Sequence, residues 1–259
     1  MADLSATDNA RRALGLLDLT NLNDDCTAAD IFALTQRAVT EYGSVAAVCI
    51  WPKFVAQAVG ELKGTGVKVA TVVNFPEGGT DTEAVVAETE KAIADGADEI
   101  DMVIPYRSFM DGRKGFTEEQ IIRVRAAVPE PALLKVILET GELADPLLIH
   151  LASEIAIGAG ADFIKTSTGK VPVNATLEAA EVMLTAIEEA RRDHERTVGF
   201  KAAGGIRSLE DAVGYLALAD RIMGPNWVSA STFRFGASGL LDALIATLEG
   251  GEIEANDGY

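Results

Sequence analysis

The feature that most constrains the fold is a regular alternation of Val- and Ile-rich runs with segments of helical periodicity, from about residue 45 onward. The runs show little alternation of polar with apolar residues, which is typical of strands covered on both faces in a parallel sheet. They cover residues 45–51, 67–75, 99–105, 133–140, 163–168, 197–203, 221–224 and 233–238. Eight predicted strands in a chain of 259 residues favour a single-domain α/β fold, the (β/α)8 TIM barrel.

Helix start signals follow several of these predicted strands. They are capping boxes from Thr80 to Glu83 and from Thr117 to Gln120, a weaker box from Ser208 to Asp211, and an N-cap at Asp145 before Pro146. A faint repeat places Ala-Asp just before three predicted strands, with the aspartates at positions 98, 162 and 220. A doubly wound open sheet is the alternative fold, but no GxGxxG or P-loop motif follows any predicted strand.

The chain is predicted to be one domain covering residues 1–259, because no Pro/Ser-rich linker divides it. Residues 1–43 are expected to form an N-terminal extension with two extra helices, at 8–17 and 27–42, joined by the polar turn DLTNLNDD. Residues 44–249 are assigned to the barrel. Residues 250–259 are assigned to a flexible acidic tail.

Charge and composition restrict the partners. The chain has 22 basic and 40 acidic side chains, a formal net charge of −18, which disfavours nucleic acid or an anionic membrane as a partner. An anionic ligand must therefore be held by a local cluster of cations. No signal-peptide-type or membrane-spanning run is present, and two cysteines cannot make a disulfide framework, so we expect a soluble cytoplasmic protein.

Charged residues inside the apolar runs are the main chemical signal. Lys135, Lys165 and Lys201 lie within predicted strands, and Asp101 is the acidic equivalent. Burying a lone ammonium costs several kcal/mol, so such a group pairs, loses its proton, or both. Each lysine alone is as well explained by a structural ion pair. Together they favour an amine nucleophile that forms a Schiff base, kept neutral by a second cation and assisted by a carboxylate.

Glycine-rich loops after the later strands are a second signal. Gly169 and Lys170, Gly204 and Gly205 with Arg207, and Gly236 to Gly239 all fall where barrel strands end. Glycine permits close backbone approach and helix-start amides attract anions, so these loops indicate a phosphate site. No HxH, HExxH or Cys/His cluster accompanies His150 and His194, which disfavours a zinc enzyme.

The sequence resembles the deoxyribose-phosphate aldolase family over nearly its whole length. The similarity lies in LLDLTNLND (16–24), AAVCIWP (46–52), TVVNFPEG (71–78), ADEIDMVIPYR (97–107), LLKVILETGEL (133–143), ADFIKTSTGK (161–170), VGFKAAGGIR (198–207) and RFGASGLL (234–241). The resemblance is closest to a longer bacterial branch that ends in tyrosine, as Tyr259 does here. It departs at Gly239, where a second serine is common, and at Trp51, where tyrosine is usual.

The resemblance implies a metal-independent class I aldolase on a (β/α)8 barrel, with neither metal nor organic cofactor. The reaction would interconvert 2-deoxy-D-ribose 5-phosphate with D-glyceraldehyde 3-phosphate and acetaldehyde. Lys165 would be the Schiff-base lysine, Asp101 the proton-transfer carboxylate, and Lys201 a second lysine that moves protons and favours the free amine of Lys165. The pocket would include Asp18, Thr20, Cys49, Lys135, Thr168 and Tyr259. The phosphate would contact Gly169, Lys170, Gly204, Gly205, Arg207, Gly236, Ser238 and Gly239.

Several alternatives remain open from the sequence. These are another Schiff-base aldolase or a transaldolase, a metal-dependent lyase, and a non-catalytic sugar-phosphate sensor on the same barrel. The partners expected are small sugar phosphates and aldehydes, with no nucleic acid or membrane, and a second copy of the chain in a homodimer. We also expect Lys135, Lys165, Lys170, Lys201 and Arg207 to gather at one mouth of the barrel.

Overall fold

A computed structural model describes residues 4–250 and places eight parallel strands in one closed barrel. The strands are β1 (Leu17–Asn21), β2 (Ala47–Ile50), β3 (Lys68–Val73), β4 (Glu99–Val103), β5 (Leu133–Ile137), β6 (Phe163–Lys165), β7 (Gly199–Ala203) and β8 (Phe233–Ala237). Each strand pairs in parallel with the next one along the chain, and β8 closes on β1. The (β/α)8 prediction is confirmed.

Helices cover the outside of the barrel. They are α1 (Ala6–Leu14), α2 (Ala28–Arg37), α3 (Val55–Glu61), α4 (Thr82–Ala94), α5 (Tyr106–Met110), α6 (Lys114–Ala126), α7 (Thr140–Leu143), α8 (Pro146–Gly158), α9 (Leu177–His194), α10 (Leu209–Met223) and α11 (Leu240–Leu248). A 3-10 turn at Pro52–Phe54 precedes α3, and Val39–Thr40 pairs antiparallel with Gly43–Ser44. Within residues 4–250, none of the helices has the length and apolar character needed to cross a bilayer.

The predicted barrel boundary at residue 44 is wrong, because the first strand lies earlier. Strand β1 occupies the segment assigned to a polar turn, and its polar residue Asp18 points into the barrel, where it meets Lys201 at 2.5 Å. A buried counter-charge therefore replaces the apolar side chain expected at this position of a strand. Helix α2 is consequently the barrel helix that follows β1, and of the helices described only α1 precedes the barrel.

The strand predicted at residues 221–224 is also wrong. These residues complete α10, in which Met223 is buried as the last residue of the apolar face and Arg221 reaches Glu181 on α9 at 3.0 Å. Four apolar or basic residues at the end of an amphipathic helix resemble a short buried strand. Periodicity over so few residues does not distinguish a helix from a strand.

The helix start signals are confirmed at two places and wrong at two. Asp145 caps α8 ahead of Pro146, and Ser208 with Asp211 forms a capping box on α10. Helix α4 is capped by Asp81 rather than by Thr80. Thr117 lies inside α6, which begins three residues earlier at Lys114.

The barrel interior is divided into an apolar side and a charged side. Apolar side chains from β2, β3 and the residue after β1 form a cluster that consists of Leu22, Ala47, Cys49, Ala70 and Val72. The strands β4 to β8 and β1 supply the charged side chains described below. Gly199 on β7 makes room for the ring of Phe163 on the neighbouring strand β6, since a Cβ at Gly199 would lie 2.3 Å from that ring.

Candidate active site

Seven charged side chains from six strands meet inside the barrel, and all of them are buried. Because side chains alternate along a strand, every second residue points inward, and residues paired in register on neighbouring strands face the same side of the sheet. The register pairs Asp101 with Lys135, and Lys165 with Lys201, on adjacent strands. We call this set the buried charge network, and it consists of Asp18, Glu99, Asp101, Lys135, Lys165, Lys201 and Arg234.

Asp101 is the centre of the network and contacts three lysines. Its Oδ2 accepts hydrogen bonds from Lys165 Nζ at 2.8 Å and from Lys201 Nζ at 2.7 Å, while Oδ1 accepts one from Lys135 Nζ at 2.8 Å. Burial alone would raise the pKa of Asp101, but the three ammonium groups outweigh burial and hold that pKa well below its usual range. Asp101 is therefore ionised and joins three different strands.

The remaining members lie around Asp18 and Glu99. Lys201 Nζ lies 2.5 Å from Asp18, and Lys135 Nζ lies 2.6 Å from Glu99. Arg234 spans both carboxylates, with Nη1 at 2.6 Å from Asp18 and Nη2 at 2.8 Å from Glu99. Burial would lower the pKa of Lys201, but Asp101 and Asp18 raise it above its ordinary value, so Lys201 carries a positive charge.

A cavity of about 780 Å³ opens over the network at the carboxyl ends of the strands. Lys165 is the network member that lines it; Lys201, Lys135, Asp101 and Asp18 lie buried below. Ten other predicted residues also line this cavity: Thr20, Thr168, Gly169, Lys170, Gly204, Gly205, Arg207, Gly236, Ser238 and Gly239. Cys49 is fully buried beside Asp101, at 3.9 Å between Sγ and Oδ2, and burial raises the pKa of its thiol.

The glycine loops form one end of the cavity. Gly169, Gly204 and Gly205 have φ values of 84°, 83° and 87°, a left-handed conformation that favours glycine. Helix α11 begins just after Gly239, whose position makes no side-chain capping bond to the first-turn amides. Uncapped amides at a helix N-terminus, with Lys170 and Arg207 on the same wall, suit a phosphate group.

Three buried charged residues near the lysines were missed by the sequence reasoning. Glu99 and Arg234 belong to the network, and Glu139 accepts hydrogen bonds from Thr168 N at 3.2 Å and Oγ1 at 2.5 Å. The signal for two of them was present, because Arg234 is a charge inside an apolar run and Glu99 lies two residues from Asp101 on one strand face. Glu139 follows a strand in a left-handed conformation, at φ 58°, which no sequence pattern indicated.

Two further predictions concern metal binding and the tail. Among residues 4–250, no group of three or more His, Cys, Asp and Glu side chains has an arrangement suited to a metal ion. Tyr259 lies outside the described residues, as do the other residues of the predicted tail beyond Gly250.

The sequence profile of DeoC/LacD family aldolases matches residues 12–241, which is most of the barrel. The chain belongs to the DeoC/LacD aldolase family. It is 61% identical over 252 residues to the deoxyribose-phosphate aldolase of Agrobacterium fabrum, covering 96% of each chain. A solved structure from Coccidioides immitis shares 34% identity with a TM-score of 0.80, over 92% of this chain and 86% of that one.

A more distant structural relative is the deoxyribose-phosphate aldolase of Aeropyrum pernix, whose structure is described as tetrameric. It shares 26% identity and a TM-score of 0.74, over 94% of this chain and 92% of that one. The predicted resemblance to this family is therefore confirmed. In this aldolase, the buried charge network presents one lysine, Lys165, to the cavity above it.

Proposed function

We propose that this aldolase cleaves 2-deoxy-D-ribose 5-phosphate reversibly to D-glyceraldehyde 3-phosphate and acetaldehyde, through a Schiff base on Lys165. The observation that carries the proposal is the position of Lys165, the member of the buried network whose side chain lines the cavity while Asp101 touches its Nζ at 2.8 Å. An amine nucleophile needs both access to the carbonyl and a carboxylate within hydrogen-bond reach.

Imine formation begins when the neutral Nζ of Lys165 attacks the C1 carbonyl carbon of the open-chain sugar. The carbonyl oxygen takes up two protons in turn and leaves as water, while Nζ gives up one of its two protons and keeps the other in the protonated imine. Asp101 accepts and returns these protons, because its Oδ2 lies 2.8 Å from Nζ. Lys201 Nζ donates to the same Asp101 oxygen at 2.7 Å. Its positive charge beside Lys165 favours the free amine of Lys165 before attack.

Cleavage follows from the electron demand of the protonated imine. Removal of the C3 hydroxyl proton forms a carbonyl at C3, and the electron pair of the C2–C3 bond moves into the imine to give an enamine. D-Glyceraldehyde 3-phosphate leaves at this step. The enamine takes a proton at C2, and water then adds to the imine carbon, so that acetaldehyde is released and the amine of Lys165 is restored.

The phosphate is proposed to bind at the glycine end of the cavity. Backbone amides of Gly169, Gly204, Gly205 and Gly239 would donate to its oxygens, with charge from Lys170 and Arg207. Lys170 Nζ lies 3.0 Å from the exposed carboxylate of Asp24. Phosphate binding would exchange this surface ion pair, which is worth little, for a bidentate anion.

Reductive trapping tests the proposal directly. The protein is mixed with acetaldehyde and borohydride, and its peptides are analysed by mass spectrometry. We expect a two-carbon adduct on Lys165 and loss of cleavage activity in proportion to it. Lys165→Ala should show neither the adduct nor cleavage activity. Lys68→Ala, which removes an exposed lysine paired with Asp98, should show the same adduct and the same activity as the unmodified protein.

An unmodified protein without any adduct would contradict the proposal and would favour a sugar-phosphate sensor. Near-normal cleavage by Lys165→Ala would equally overturn the assignment. Inclusion of a chelator separates the proposal from a metal-dependent lyase, since a Schiff-base enzyme should keep its activity. The homodimer and the cytoplasmic location stay predictions, as does the role of Tyr259.

A further inference from the structure

The buried charge network contains one more cation than carboxylates. Its carboxylates are Asp18, Glu99 and Asp101, and its cations are Lys135, Lys165, Lys201 and Arg234. All seven side chains are at most 5% exposed, so water does little to screen an unbalanced charge. With every group ionised the network would carry a net charge of +1, and it becomes neutral when one cation gives up its proton.

The contacts indicate which cation can lose its proton with the smallest loss of ion pairing. Arg234 stays charged under all ordinary conditions and bridges two carboxylates. Lys135 contacts Glu99 and Asp101, and Lys201 contacts Asp18 and Asp101, each at 2.8 Å or less. Lys165 contacts one carboxylate oxygen, Asp101 Oδ2, which it shares with Lys201.

We infer that Glu99 and Arg234 are positioning residues that set the protonation state of Lys165 through the charge balance of the buried network, although neither reaches the cavity. The inference rests on the proposed Schiff-base function and deepens it. Arg234 neutralises Asp18 and Glu99, so these carboxylates do not require a proton on Lys165. Glu99 limits the excess of positive charge that would otherwise repel the protonated form of Lys165.

Other titratable groups around Lys165 do not change the direction of these effects. Asp101 on β4 contacts Lys165 through Oδ2, and Lys201 on β7 donates to the same oxygen. Cys49 on β2 is a buried thiol beside Asp101. Glu139 after β5 accepts two hydrogen bonds from Thr168 and interacts with Lys165, and its charge is the same in every variant. These groups are unaltered by substitution at Glu99 or Arg234, so they contribute equally to every variant compared.

Two substitutions should therefore shift the same pH profile in opposite directions. Arg234→Met removes a positive charge, so Lys165 holds its proton to higher pH and the acid limb of kcat/KM moves upward. Glu99→Gln removes a negative charge while keeping the shape of the side chain, so the limb moves downward. A charge one contact away should move the limb by roughly one pH unit, the low end of the effect of a direct neighbour.

The test compares kcat/KM for deoxyribose 5-phosphate cleavage across pH in the unmodified protein and in four variants. These are Arg234→Met, Glu99→Gln, the double variant, and Arg12→Met as a control. Arg12 forms a bidentate pair with Asp220 outside the barrel, so its loss removes an ion pair without touching the network. The double variant should return the limb to its original place, because the two charge changes cancel. The substrate phosphate titrates identically throughout, so differences report the enzyme.

Folding is checked by circular dichroism and thermal unfolding. If Arg234→Met does not fold, the downward shift of Glu99→Gln relative to the unmodified protein and to Arg12→Met decides the matter. Limbs that coincide in all variants, or that move in the same direction for both single changes, would overturn the inference. A failure of the proposed function is distinct, since the unmodified protein would then show neither cleavage nor a trapped adduct on Lys165.

Discussion

Gly236 determines how closely β8 approaches the second lysine of the site. A Cβ at this position would lie 3.0 Å from Lys201 Cε and 3.0 Å from Ala203 Cβ, closer than ordinary contact. Gly236→Ala should therefore displace the Lys201 ammonium from Asp18 and Asp101. We expect kcat to fall roughly tenfold to a hundredfold and the free energy of unfolding to fall by about 1–3 kcal/mol. Steady-state kinetics and urea unfolding measure both.

A matched glycine substitution controls for the loss of backbone freedom. Gly214 lies inside α10, and a Cβ there meets only Leu177 at 3.7 Å, which is ordinary contact. Gly214→Ala should keep activity and stabilise the protein by about 0.5–1 kcal/mol, because alanine favours a helix interior. If Gly236→Ala were as active as Gly214→Ala, the position of Lys201 would not depend on this close approach.

At the scale of the element, the start of α10 connects helix stability with ligand binding. Ser208 and Asp211 form a capping box, and Asp211 Oδ2 also accepts the backbone N–H of Arg207 at 3.0 Å. Ser208→Ala should cost about 1 kcal/mol of stability. It should also loosen the turn that carries Arg207 and raise KM for the sugar phosphate, while kcat changes little.

Helix α2 offers the comparison, because Thr27 and Asp30 form a capping box of the same kind and neither residue lines the cavity. Thr27→Ala should lose a similar amount of stability in urea unfolding with no change in KM. Equal KM values for Ser208→Ala and Thr27→Ala would show that the α10 cap serves the helix alone.

The elements predicted correctly from the sequence are those whose chemistry is local. Seven of the eight predicted runs overlap barrel strands, since a strand covered on both faces is apolar throughout. Strand β1 was missed because Asp18 is balanced by Lys201 and Arg234, which lie more than 180 residues further along the chain. No local pattern contains such a partner. Glu99 shares a strand face with Asp101, which a local pattern does show, but its pairing with Arg234 is of the same long-range kind.

The Ala-Asp repeat shows the same distinction between local pattern and partner. Asp98 accepts the amide of Val69 at 2.9 Å, and Asp162 accepts the amide of Leu134 at 2.7 Å, so each ties its strand to the preceding one. Asp220 instead lies within α10 and pairs with Arg12 of α1. The same Ala-Asp pair therefore precedes two strands and lies within one helix. Only the residue that each aspartate contacts distinguishes the two cases.

At the scale of the whole molecule, positive charge is concentrated inside and at the mouth of an acidic protein. The network has four cations and three carboxylates, so the remaining residues carry −18 − 1 = −19. The five cations expected at one mouth divide into two levels. Lys165, Lys170 and Arg207 line the cavity, whereas Lys135 and Lys201 lie buried beneath it with their carboxylates.

The network also predicts how stability changes with pH. The pKa values of Asp18 and Asp101 are held below the ordinary 3.8, despite burial, by the surrounding cations. Between the folded and unfolded pKa values the unfolded chain binds more protons, so stability is fully present above about pH 4 and falls as the pH drops. The pKa values of Lys135 and Lys201 lie above the ordinary 10.5, so their contribution is lost only as the pH rises beyond that value.

Urea unfolding at closely spaced pH values measures this dependence. Each depressed carboxyl should contribute a slope of up to about 1.4 kcal/mol per pH unit below pH 4. Asp101→Asn should be less stable at neutral pH and should lose its share of the acid slope. Asp242→Asn, which removes an exposed carboxylate paired with Arg37, should keep the slope. An unchanged acid slope in Asp101→Asn would mean that acid unfolding is governed by carboxylates outside the barrel, not by the site that holds its lysines together.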